Sequence, residues 1–93
     1  MPFLNELLSD SINLQAIYDK YPDEEFLSAD GFERAILGVD DDKMIIIYST
    51  KKVLSILMED DEMEYEDALE HFYYNIKGAY MGEKTPIFVD DIF

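Results

Sequence analysis

Apolar residues recur at helical spacing from the start of the chain: Phe3, Leu4, Leu7 and Leu8, then Ile12, Leu14, Ile17 and Tyr18. This is close to the i, i+3, i+4, i+7 stripe of an amphipathic helix. Ser9, Asp10 and Ser11 supply capping side chains that could split the run into two short helices. Tyr21 precedes Pro22 and is pushed out of helical geometry, which ends the element. The pattern changes over residues 33–48, where two short apolar runs flank Asp40, Asp41 and Asp42. Aspartates make turns and the unbroken Ile45, Ile46, Ile47, Tyr48 run suits a strand covered on both faces, so a β-hairpin is expected. Residues 32–39 also fit a helix: Asp30 and Glu33 have capping-box spacing, and Phe32, Ala35, Ile36 and Val39 share a helical face.

Helical spacing returns with Val53, Leu54, Leu57 and Met58, behind Thr50 as the expected N-cap. Glu59 and Asp60 close this helix, because carboxylates at a C-terminus oppose the macrodipole by a few tenths of a kcal/mol. A separate helix follows. Glu66 and Asp67 fall in its first turn, and Tyr65, Ala68, Leu69, Phe72, Tyr73, Ile76, Ala79 and Tyr80 form its stripe, with Gly82 as the stop. Gly78 inside that stripe costs about 1 kcal/mol relative to alanine. It marks either an earlier stop or a close approach by another element, and the continuation through Ala79 and Tyr80 favours close approach. A turn and a short strand from Pro86 complete the chain. The expected fold is α+β and single-domain over residues 1–93: an N-terminal helical segment, a β-hairpin, two helices and a short C-terminal strand, with a small three-stranded sheet packed on the helices. The aromatic stripe reads as core, whereas Tyr74 and Asn75 fall on the polar side of its helix.

Charge changes the picture more than length does. Twenty-two acidic residues against seven lysines and arginines leave a net charge of −15 over 93 residues. Nucleic acid and anionic lipid would repel such a surface, so the expected partner is the basic surface of another protein. The other meaning of this charge is solubility alone. Eight of the twelve residues from 59 to 70 are acidic: Glu59, Asp60, Asp61, Glu62, Glu64, Glu66, Asp67 and Glu70. Carboxylates three or four positions apart on a helix have Cβ atoms about 5–6 Å apart, near the phosphate spacing of a nucleic-acid strand. The candidate partner-binding residues are Glu59, Asp60, Asp61, Glu62, Glu64, Asp67, Glu70, Tyr74 and Asn75, extended by Asp40 to Asp42 or by Asp90 and Asp91.

The absence of cysteine excludes disulfides and thiol chemistry. A calcium loop of the EF-hand type starting at Asp60 would need glycine where Tyr65 stands and an acid where His71 stands. His71 is the single histidine, four residues after Asp67, a spacing that suits a surface pair better than a metal ligand. No nucleophile–base–orienter set and no phosphate-binding glycine loop is present, so neither catalysis nor a cofactor is expected. The opening MPFLNELLSD lacks the basic residues of a secretory leader, and no apolar run approaches the roughly 18 residues of a membrane span. The expected location is the cytosol of a host cell.

Residues 48–88 contain the set Phe72, Asn75, Gly78, Ala79, Tyr80, Gly82, Glu83, Thr85 and Pro86, within the pattern F-x-x-N-x-x-G-A-Y-x-G-E-x-T-P. This segment resembles a family of small, mostly uncharacterised acidic proteins encoded by bacteriophages and prophages. The resemblance implies an accessory protein that acts by protein binding. Analogy with other small acidic phage proteins points to inhibition of a host nucleic-acid-handling or defence enzyme, in the manner of anti-restriction and anti-CRISPR proteins, with nucleic-acid mimicry as the device. The alternative is an immunity- or antitoxin-like partner, or a homodimeric structural module using Tyr74, Asn75, Tyr80 and the final IFVDDIF segment.

Overall fold

A computed structural model describes residues 13–79 and 81–92. Its architecture is α+β, as the patterning implied. Residues 13–20 form helix α1, which ends at Lys20 immediately before the Tyr21–Pro22 pair. The expected helical positions from Phe3 to Ile12, the Ser9–Ser11 capping triplet and Tyr80 lie outside the described residues. Strands β1 (Ile36–Asp40) and β2 (Ile45–Ser49) make the antiparallel hairpin. Helices α2 (Thr50–Asp60) and α3 (Tyr65–His71) follow, and α3 runs into a π-helical segment, Phe72–Lys77, before strand β3 (Ile87–Val89). The sheet order is β1-β2-β3, with β3 parallel to β2, as α2 and α3 form the connection between them.

The central place of β2 explains its unbroken apolar run. Ile45, Ile46 and Tyr48 are buried, whereas a strand with one face in water would alternate. Both readings of residues 32–39 hold in part. Glu33–Ala35 forms one 3-10 turn, in which Glu33 Oε2 accepts the Gly31 N–H at 3.1 Å, and the strand starts only at Ile36. Pairing with β2 then overrides helical spacing. The register slips between Ile36 and Gly38, a bulge that leaves Leu37 about half exposed. In the hairpin turn Asp40 Oδ1 accepts the N–H groups of Asp42 at 3.0 Å and Lys43 at 3.4 Å. Asp40 is therefore a turn-building residue more than a surface charge.

The N-cap of α2 is Ser49, one residue earlier than expected: its extended backbone brings Oγ to 3.0 Å from the Lys52 N–H, while Thr50 is already helical. Val53, Leu54, Ile56 and Leu57 are buried on this helix, and Met58 turns outward. After Asp60 the chain reverses through Glu62 in the left-handed region (φ 56°), and the Met63 N–H returns to the Leu57 carbonyl at 3.4 Å. In the second helix Ala68 and Phe72 are fully buried and Leu69 and Ile76 half-buried, whereas Tyr65, Tyr73 and Ala79 are exposed. Tyr65 opens the helix beyond the core, and Tyr73 lies about 100° round from Phe72.

Gly78 ends this helical run, four residues before the expected stop. Its missing side chain accommodates its own helix rather than another element, since a Cβ there would stand 3.2 Å from the Tyr73 carbonyl oxygen. Gly82 does adopt a left-handed conformation (φ 101°), but within the turn that leads to β3. The core joins α1, the irregular segment after it, β2, α2, α3 and the π-helical segment through Ile17, Phe26, Ile46, Tyr48, Leu57, Ala68 and Phe72. Tyr48 is at its centre: its ring stacks on Phe88 at 5.2 Å, and its hydroxyl oxygen accepts the Ala29 N–H at 2.7 Å.

Candidate functional site

The eight acids of residues 59–70 are all exposed. They do not lie on one continuous helix. Glu59 and Asp60 end α2, Asp61, Glu62 and Glu64 occupy the connection, and Glu66, Asp67 and Glu70 lie on α3. Helical row spacing therefore applies within α3, where Asp67 and Glu70 are one turn apart, and the remaining acids stand around the corner where α2 packs on α3. Asp60 is partly neutralised by Arg34 from the 3-10 turn, at 2.5 Å. That pair offsets part of the repulsion between the α2 macrodipole and its terminal carboxylates.

Four of the candidate residues come together. Asp67, Glu70, Tyr74 and Asn75 line an open depression of about 430 Å³ with Met63 and His71. Glu59, Asp60, Asp61, Glu62 and Glu64 are not part of its lining. Tyr74 is 79% exposed, so packing accounts for little of its ring. Asn75 Nδ2 stands 3.1 Å from His71 Nδ1. His71 thus pairs with Asn75, one turn further along the chain, and lines the depression together with Asp67. The π-helical segment that carries Tyr74 and Asn75 is a rare geometry found often at functional sites.

Other candidate acids have structural duties. Asp91 accepts the Ser49 hydroxyl through Oδ2 and the Lys51 N–H through Oδ1 at 3.3 Å. Its carboxylate closes the N-terminus of α2, and the Ser49 hydrogen bond holds it below the usual aspartate range. Asp91 and Asp40 thus have hydrogen-bond partners within the chain and are partly exposed, whereas Asp41, Asp42 and Asp90 are fully on the surface. Among the described residues, Asp40, Asp41 and Asp42 bring carboxylate oxygens within 4.8 Å of one another, near enough to share a cation. Two N–H groups already occupy one oxygen of Asp40.

The sequence reading missed the Asp91 clasp and Phe26. The clasp spans 42 residues and leaves no local signature. Phe26 belongs to a two-residue apolar pair, Phe26–Leu27, in an acidic loop, too short for a periodic signal, and is buried against Tyr18 and Tyr21. No described helix is long and apolar enough to cross a membrane. No family model, curated protein or solved structure matches this chain. The fold and the face just described thus define a small acidic α+β domain presenting tyrosines among carboxylates.

Proposed function

We propose that this is a phage-type accessory protein that acts by binding. Its α2–α3 corner docks on the basic, nucleic-acid-handling groove of a host defence or replication enzyme in the host cytosol and blocks it. The observation that carries the reading is the exposure of all eight acids from Glu59 to Glu70 beside the exposed ring of Tyr74. Carboxylates without core duties steer a basic partner from a distance, and an aromatic anchor among them slows its departure. Binding, not catalysis, is the proposed activity, and it calls for no cofactor.

A second reading, a homodimer or an immunity-type partner of a toxin, draws on apolar side chains near the sheet edges: Leu37 at the β1 bulge and Ile92, 82% exposed after β3. The two readings separate by salt. Capture of a partner from host lysate by the intact protein is expected at low ionic strength and is lost as salt rises, and duplex DNA competes for the captured protein. Reversal of Asp61, Glu62, Glu64 and Asp67 to lysine abolishes capture and leaves the thermal midpoint equal or higher. Salt-resistant capture that survives the reversal would remove the docking reading and favour the sheet edges.

A further inference from the structure

The depression beside α3 is lined by two carboxylates, an amide, an imidazole, a methionine and an exposed tyrosine ring, with no lysine or arginine among them. Elsewhere this chain places its own cations over aromatic rings. Lys20 lies 5.6 Å from the Tyr21 ring centroid, Lys77 5.2 Å from that of Tyr73, and Lys84 5.8 Å from that of Phe26. Tyr74 carries none of these three lysines, although it is far more exposed than Tyr73 and sits next to it. A ring with a negative face, flanked by Asp67 and Glu70 in a negatively charged domain, suits a cation supplied from outside.

The geometry selects among cations. A divalent metal needs several oxygen or imidazole ligands converging on one point, and among the described residues the group that meets this condition is Asp40, Asp41 and Asp42, not this one. An ammonium is a compact, strongly hydrated charge and gains little from a flat, half-open surface. A guanidinium is planar, weakly hydrated and presents five donors in a fixed fork. The depression offers matching parts: a ring face for stacking, and carboxylates at i and i+3 that can each accept from the fork. The Asn75 side-chain amide, paired with His71 at 3.1 Å, adds a polar group to the same lining.

We infer that this depression receives an arginine side chain of the partner, its guanidinium stacked on Tyr74 and forked onto Asp67 and Glu70. The inference rests on the docking reading and narrows it to a recognition element. Nona-arginine and nona-lysine peptides, titrated into the full chain, test it by calorimetry together with the NMR signals of the Asn75 side-chain amide and the Tyr74 ring. Nona-arginine is expected to bind about tenfold tighter than nona-lysine, shifting both signals. Tyr74→Ala or Glu70→Gln should bring the arginine peptide down toward the lysine peptide without changing the thermal midpoint. Equal affinities, or an arginine preference that survives Tyr74→Ala, overturn the arginine site and leave docking on the acidic corner intact. Failure of both peptides to bind overturns the site and the docking reading together.

Discussion

Asp90 and Asp91 are adjacent and chemically identical, yet their removal is expected to have different consequences. Asp91 accepts the hydroxyl of fully buried Ser49 and the N–H of Lys51, while Ser49 Oγ accepts the Lys52 N–H. One carboxylate thus ties the chain after β3 to the start of α2. Asp90 is exposed. A hydrogen bond to a charged group is worth about 1.5–3 kcal/mol, and a carboxylate at a helix N-terminus adds about 0.3–1 kcal/mol. Asp91 is partly solvated, so screening reduces the sum, and we expect Asp91→Ala to cost about 1.5 kcal/mol. For a domain of this size that lowers the thermal midpoint by about 6–12 °C. Asp90→Ala should leave the midpoint unchanged or raise it, since one of 22 acids is removed from a chain of net charge −15.

The same contact carries a pH signature. Because the Asp91 carboxyl lies below its ordinary value of 3.8 in the folded protein, the unfolded chain binds more protons in this window, so stability rises with pH. The contribution is present above the ordinary value and is lost as pH falls through the folded one. Thermal melts of the parent and of Asp91→Ala, run from about pH 2.5 to pH 8, should therefore converge in acid. Equal midpoints for the Asp90 and Asp91 variants, or a deficit in the Asp91 variant that persists undiminished into acid, would refute the clasp.

Glu62 holds a left-handed conformation that glycine adopts without steric cost. Glu62→Gly is therefore expected to stabilise by about 0.5–1 kcal/mol, a rise of a few degrees in the thermal midpoint, while Glu62→Ala keeps the strain and gains less. Tyr48→Phe removes the acceptor of the Ala29 N–H and should cost about 1–2 kcal/mol, read as a lower denaturant midpoint. Burial raises the Tyr48 phenol above its ordinary value of 10.0, so the unfolded chain loses that proton first. Stability is full below the ordinary value and declines as pH rises above it, and Tyr48→Phe should abolish that component of the alkaline decline.

The hairpin, α2, α3 and β3 were legible because each carries a local signal: an unbroken β-forming run, helical spacing, or acids in a first turn. Where two local signals conflicted, at residues 32–39, neither described the whole segment, because pairing with β2 decided the outcome from Ile36 onward. The stripe from Tyr65 to Tyr80 predicted a helix running to Gly82. It did not show that Gly78 lies against the Tyr73 carbonyl and ends the run. Distant partners were invisible for the same reason. Nothing near Asp91 distinguishes it from Asp90, and nothing near Asp40 distinguishes a turn-building acid from Asp41. Of the candidate face, acid density and the polar-side positions of Tyr74 and Asn75 could be read from spacing, but not the depression that brings them beside His71 and Met63.

The central claim concerns the placement of charge rather than its amount, and two variants of equal net charge test it most directly. In one, Asp61, Glu62, Glu64 and Asp67 become lysine. In the other, the exposed residues Asp19, Asp23, Glu25 and Asp30 do. Each set makes four exchanges of two charges, moving the net charge from −15 to −7. With melts confirming that both fold, the account predicts that partner capture is lost in the first variant and retained in the second. Equal capture by the two, whether both bind or both fail, would contradict it.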